Sequence, residues 1–179
     1  MRGLQLASKT IRWQNKSFNI AYELLNPTST KTIIFLHGWG SNKEIMKQAF
    51  NSTFKEYKHL YIDMPGFGKS SNEYILSTND YANIINEFLN QFELDIVFIA
   101  GHSFGGKVAT LLAPKNLVLL SSAGIVEEKP FGVKIKIALA KILGKLGLKG
   151  ITKVFRSGDV NTMSEAMYGT FKNVVDEDF

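Results

Sequence analysis

The sequence predicts an α/β fold, a mostly parallel sheet flanked by helices on both faces. Three observations carry this. Short, continuous apolar runs recur at 32–36, 59–62, 95–100 and 117–120, as expected of strands buried on both sides. Segments of helical periodicity separate them, the alternation that parallel crossovers require. The 179 residues are 45% apolar and 21% charged, which suits one globular domain with a sizeable core.

The elements follow in order. Residues 4–25 read as a strand hairpin. Ile11 and Trp13, then Phe18, Ile20 and Tyr22, alternate with polar residues around Gln14-Asn15-Lys16. Asn26-Pro27 ends it. After the 32–36 strand, residues 42–54 form a weakly patterned helix. A strand at 59–62 leads into a loop, Asp63-Met64-Pro65-Gly66-Phe67-Gly68. Residues 79–92 form a clear helix, with Tyr81, Ile84, Ile85, Phe88, Leu89 and Phe92 on one face and Ser77, Thr78 or Asn79 as N-cap. A strand at 95–100, a helix at 104–113 and a strand at 117–120 follow, the last expected to be buried. Residues 131–149 predict an amphipathic helix: Lys134, Lys141, Lys145 and Lys149 face Ile135, Leu139, Ile142, Leu143 and Leu146, with Lys136 out of pattern. A further helix is expected from about Asn161 to Val175. The change of character after Gly124 divides the chain into a core, 1–125, and a helical cap segment, 126–179.

Composition excludes several functions. With no cysteine and three histidines, there is no disulfide scaffold, thiolate nucleophile or thiolate metal site, and no motif asks for a metal or organic cofactor. The net charge of +5 hints at nucleic acid until it is located. Eight Lys/Arg fall between Lys129 and Arg156 with no acidic residue among them, and the remainder carries 13 basic and 16 acidic residues. The charge belongs to one segment, not to a basic face of the folded module, so nucleic acid is not the expected partner. Met1 to Lys16 holds no apolar signal core, and no run approaches the roughly 18 residues of a membrane span. The expectation is a soluble, cytoplasmic protein acting on a small molecule.

The chemistry centres on Gly101-His102-Ser103-Phe104-Gly105, which follows a strand and opens a helix. This is the G-x-S-x-G nucleophile elbow in its required context. The turn forces Ser103 into a strained conformation that lifts its hydroxyl above the sheet edge. Gly101 and Gly105 remove side chains that would collide with the neighbouring strand and helix. The backbone N–H of Phe104 points at the oxygen that becomes negative, aided by the helix N-terminus. The bland alternative is an ordinary glycine-rich strand-to-helix turn; the flanking strand and helix favour the elbow. His37-Gly38-Trp39-Gly40 directly follows the 32–36 strand, where a second oxyanion donor, the Trp39 N–H, belongs.

With the loop Asp63 to Ser70, these motifs resemble the α/β-hydrolase superfamily, in particular its capped esterases, C–C hydrolases and epoxide-hydrolase-like members. The resemblance covers 1–125 closely and 126–179 more loosely, as the start of a cap. It implies Ser103 as nucleophile and the Trp39 and Phe104 N–H groups as oxyanion donors, with His37, Gly38, Gly101, His102 and Gly105 in support. Serine at the elbow argues against haloalkane dehalogenases and epoxide hydrolases, whose intermediate forms on a carboxylate. Acyl transfer through an acyl-serine follows, on an ester-like or diketone-type C–C substrate. The apolar cap suggests a hydrophobic or partly hydrophobic substrate.

The resemblance also places the catalytic acid and histidine after the nucleophile, whereas His37, His59 and His102 all precede Ser103. His37 reads as ordering the oxyanion loop, His59 as structural or solvated, and His102 as pointing away from its neighbour. Asp63 reads as a loop-ordering carboxylate, and Asp176, Glu177 and Asp178 as solvated. The family sheet has eight strands against about six here. The resemblance thus implies a hydrolase truncated before its last two strands, and a complementing C-terminal fragment as partner. Loss of the base in such triads costs about 10⁶ in turnover. Two other readings stand beside this one. The chain could be a non-catalytic binding or interaction protein that keeps the hydrolase fold. Residues 131–149 could be a membrane-surface element, a reading set below that of a cap helix.

Overall fold

The computed structural model describes residues 7–124 and 163–177. The expected hairpin comprises β1 (Ala7–Trp13) and β2 (Lys16–Leu25), with Ile11 opposite Phe18. Gln14 and Asn15 join them at φ 46° and 61°, the left-handed pair that a two-residue hairpin turn needs. β2 then pairs antiparallel with β4 (Lys58–Ile62). From there the sheet is parallel, through β3 (Lys31–Leu36), β5 (Asp95–His102) and β6 (Leu117–Leu120), in the order β1-β2-β4-β3-β5-β6.

The continuous apolar runs have a direct cause. Successive strand residues point to opposite faces, and both faces are covered. Ile34, Leu36, Leu60 and Ile62 enter a large core with Tyr81, Ile84, Ile85 and Phe88 of α2 (Thr78–Leu89) and Val108 of α3 (Phe104–Leu111). Ile33, Phe35 and Tyr61 enter a smaller core with Met46 of α1 (Lys43–Phe50). There the Phe35 ring stacks on Tyr61 at 4.7 Å and on Phe50 at 5.1 Å.

The α2 helix begins with a capping box. Ser77 Oγ accepts from Asp80 N–H, and the Asp80 carboxylate accepts from Ser77 N–H. Burial alone would raise the Asp80 carboxyl; the bonds from Ser77 and Trp13 and the nearby Lys16 hold it below its ordinary value.

The helix expected from about Asn161 to Val175 is α4 (Glu165–Asp176), capped by Ser164. It docks on the core through polar clasps. Thr170 Oγ1 accepts from Leu76 N–H at 3.0 Å, and Asn173 Nδ2 donates to Leu76 O at 3.3 Å. The buried Lys107 ammonium, carried by α3, donates to Val174 O at 2.7 Å and Glu177 O at 2.8 Å, the carbonyl end of α4. A cation is favourable there because the helix dipole leaves that end negative.

Two expectations are corrected. Among the described residues β6 is an edge strand, not a buried one: it pairs there with β5 alone, and Val118 is 38% and Leu119 41% exposed. Glu177 is not simply solvated, since its carboxylate accepts from Thr78 N–H at the start of α2, at 3.0 Å. The amphipathic helix expected over 131–149 lies outside the described residues.

Candidate active site

The Ser103 turn is the most strained point of the site. Its φ of 49° and ψ of −116° lie outside the regions open to L-residues, at a cost of about 1–3 kcal/mol. Three backbone hydrogen bonds hold it there. Ser103 N–H donates to Leu120 O at 3.1 Å, and Ser103 O accepts from Gly106 N–H at 2.9 Å and Ala123 N–H at 3.1 Å. The end of β5, the start of α3 and the end of β6 therefore determine one serine conformation together.

The flanking glycines are required by space. A Cβ on Gly101 would lie 2.3 Å from Gly105 O, and one on Gly105 would lie 2.5 Å from both Leu36 O and His37 O. Those atoms are backbone and cannot swing aside. The elbow is thus packed directly against the end of β3. Phe104 is the first residue of α3, so its N–H lacks an intrahelical acceptor.

His37 directly follows β3. It is fully buried. Its Nε2 accepts from Met64 N–H at 3.0 Å, so the proton resides on Nδ1, which donates to Gly38 O at 2.8 Å. Burial pushes its pKa below the ordinary value, outweighing the Gly38 carbonyl and Asp63, which act the other way. A neutral His37 thereby ties the loop after β3 to the loop after β4.

Asp63 anchors that second loop. Its buried carboxylate accepts from Lys43 N–H at 2.7 Å, Lys43 Nζ at 2.9 Å and Lys69 N–H at 3.0 Å. With every partner structural, its place is the loop-ordering one.

The other histidines separate clearly. His59 is buried between Tyr61 Oη, at 2.8 Å, and Phe54 O, at 3.0 Å, far down β4. His102 is exposed, and its Nδ1 lies over Gly38, 2.9 Å from where a Cβ would be. Among the described residues, no hydrogen bond is made to Ser103 Oγ, and no group of three His, Asp or Glu could hold a metal.

Trp39 projects from the loop after β3 into an aromatic group, with Phe67 at 4.9 Å, Phe171 at 5.3 Å and Phe104 at 5.4 Å. Beside it lies a cavity of about 650 Å³ bounded by Trp39 and Gly40, residues 66–72 and the first turn of α4. On the same loop Gly38 lies against the elbow, since a Cβ there would sit 3.3 Å from Ser103 Cβ. Sequence reasoning singled out neither Met167 nor Phe171. An apolar helix face does not declare which loop it covers.

The strand order, elbow geometry and loop positions agree with a family-wide match: the model of the alpha/beta hydrolase fold matches residues 31–139. The chain belongs to the alpha/beta hydrolase fold family. Among the relatives of this α/β hydrolase, "Putative esterase/lipase 1" of Mycoplasma pneumoniae is 32% identical over 116 residues, 64% of this chain and 42% of that protein. The 2-succinyl-6-hydroxy-2,4-cyclohexadiene-1-carboxylate synthase of Escherichia coli O157:H7 is 30% identical over 96 residues, 54% of this chain and 37% of that protein. The chain thus matches about two fifths of the length of these relatives. In fold it is similar to the esterase EaEST from Exiguobacterium antarcticum, with TM-score 0.65, 22% identity, and coverage of 96% of this chain and 75% of that one. Among the described residues no helix is long and apolar enough to cross a membrane.

Proposed function

We propose that this chain carries the nucleophile and oxyanion hole of a serine hydrolase that acts on a small ester-like substrate. The observation that supports this most is Ser103 itself, held at φ 49° and ψ −116° between glycines that admit no side chain. Strain of this kind persists only where the surroundings over-determine it, and it concentrates at working residues.

In this reading Ser103 Oγ attacks the acyl carbon and its proton passes to a general base. The carbonyl oxygen becomes an oxyanion, stabilised by the N–H groups of Trp39 and Phe104. The leaving alcohol departs with a proton, and water then releases the acid from the acyl-serine. His37 and His59 have both ring nitrogens engaged in structural bonds. Neither is therefore assigned as the general base; the resemblance places that histidine and its carboxylate after the nucleophile in chain order. Residues 1–125 are the core in this reading and 126–179 the cap segment.

Intact-mass analysis after prolonged incubation with a fluorophosphonate tests the proposal. One phosphonyl adduct mapped to Ser103, and absent from Ser103→Ala, is expected. A folded protein that gains no adduct at Ser103 overturns the proposed nucleophile in this chain, and favours the binding-protein reading or a site without its base.

A further inference from the structure

We propose that Met167 is an oxidation-sensitive latch on α4. Hydrogen peroxide converts its thioether to the sulfoxide, and the first turns of α4 then leave the loop after β4. The proposal does not depend on the role of Ser103.

Exposure decides which methionine reacts. Met46 is 3% exposed and Met64 fully buried, one in each core. Met163 and Met167 instead line the cavity beside Trp39, and Met167 keeps 9% of its surface. Ser70, Asn72 and Ser164 share that lining. Polar groups around about 650 Å³ admit water, and peroxide follows water. A sulfur lone pair attacks one peroxide oxygen. The S–O bond forms as the O–O bond breaks, the proton of the transferred oxygen passes to the departing one, and water leaves. Sulfur is oxidised and peroxide reduced.

The seat of Met167 fits a thioether and nothing larger. A Cβ on Gly66 would lie 2.3 Å from Met167 Sδ and 3.0 Å from its Cε, so the side chain rests on the Gly66 backbone itself. On another side Asn72 Nδ2 donates weakly to Sδ at 3.5 Å. An oxygen set on that line would stand closer to Nδ2 than a hydrogen bond allows. Asn72 cannot withdraw, because it accepts from Tyr74 N–H at 3.0 Å and donates to Tyr74 O at 2.9 Å. The new oxygen therefore faces the cavity. Its partners there are water and the Ser164 hydroxyl, whose oxygen caps α4 by accepting from Met167 N–H at 3.3 Å. A polar sulfoxide held by either is drawn off Gly66.

The two ends of α4 are fastened differently. The helix gives the large core Met167 near its start and Val174 near its end. The far end is also held by Lys107 Nζ on Val174 O and Glu177 O, and by Glu177 on Thr78 N–H. Oxidation removes the apolar anchor of the near end alone, so α4 loosens from its N-terminal side. Reduction of the sulfoxide makes the change reversible.

The full chain is treated with hydrogen peroxide and followed by peptide mapping and hydrogen-exchange mass spectrometry. Met163 and Met167 should each gain one oxygen well before Met46 or Met64. In Met163→Leu, oxidation should raise exchange over 165–170 roughly tenfold, move 171–177 less and leave α2 unchanged. Methionine sulfoxide reductase should restore the original rates. Met167→Leu, which conserves volume, should exchange like the parent and ignore peroxide. Met167→Gln should exchange like the oxidised chain without any peroxide. Oxidation of Met46 or Met64 as fast as Met167 overturns the proposal. So does a Met167 that stays reduced while Met163 is consumed, or a Met167 sulfoxide with unchanged exchange over 165–170.

Discussion

Gly105→Ala tests how the elbow is built. The added Cβ would meet Leu36 O and His37 O at 2.5 Å and Leu36 C at 2.7 Å. Carbon and carbonyl oxygen ordinarily approach to about 3.3 Å, so α3 must retreat from β3 by most of an ångström. The retreat strains Phe104, Val108 and Ala109, all buried. Overpacking of this kind costs about 1–3 kcal/mol, and contact with backbone puts it near the top of that range. The better helix propensity of alanine returns up to about 1 kcal/mol. A net loss of about 2 kcal/mol lowers the melting temperature by roughly 4–8 °C for a chain of this size. Ser103 moves with α3, and a displacement of that order costs about a hundredfold in reactivity. Thermal melting by circular dichroism and the rate of fluorophosphonate labelling read the two effects. A melting temperature within 1 °C of the parent, with an unchanged labelling rate, would refute the view that contact between β3 and α3 positions the serine.

Three other outcomes follow from the same geometry. His37 has its folded pKa depressed by burial, so the unfolded chain binds more protons; stability is complete above about pH 6.5 and falls by up to about 1.4 kcal/mol per unit as pH drops toward the folded value. Denaturant titrations from pH 7.5 to 5 should show that slope, and His37→Gln should flatten it. Asp63→Asn leaves the Lys43 ammonium buried with only the half-exposed Glu44 at 3.4 Å, and should cost about 3 kcal/mol in urea unfolding, with Lys43→Met recovering part of it. Lys107→Met strips two carbonyls of a charge-assisted donor worth about 1.5–3 kcal/mol, so amides of 165–176 should exchange roughly tenfold to a hundredfold faster in hydrogen-exchange mass spectrometry while those of α2 do not change.

What the residues disclosed and what they withheld have physical reasons. β3 and β4 were legible because burial on both faces leaves an uninterrupted apolar run. α2 was legible because Tyr81, Ile84, Ile85 and Phe88 repeat at helical spacing behind a Ser77–Asp80 box. β6 reads the same as β3 in sequence, yet Val118 and Leu119 are exposed; a short apolar run does not reveal whether a neighbour covers it. The elbow and the role of His37 were local, each explained by residues within a few positions or by the adjacent loop. Lys107, Lys43 and Glu177 escaped notice because a lone charge in sequence reads as solvated. Their partners lie far along the chain, Thr78 being 99 residues from Glu177. The floor of the cavity escaped for the same reason, since Met167 meets Asn72 across 95 residues.

The lysine on α3 has a bearing on how such a protein can change over time. Its aliphatic stem rests against Gly124, where a Cβ would lie 2.7 Å from Cε, while its ammonium holds Val174 and Glu177. One side chain, four positions beyond the strained serine, therefore ties the loop after β6 to the carbonyl end of α4. The serine's own hydrogen bonds run to β6, α3 and the loop after β6 and include none to α4. Selection can then vary the exposed face of α4 while the lysine holds the helix and the elbow keeps its setting.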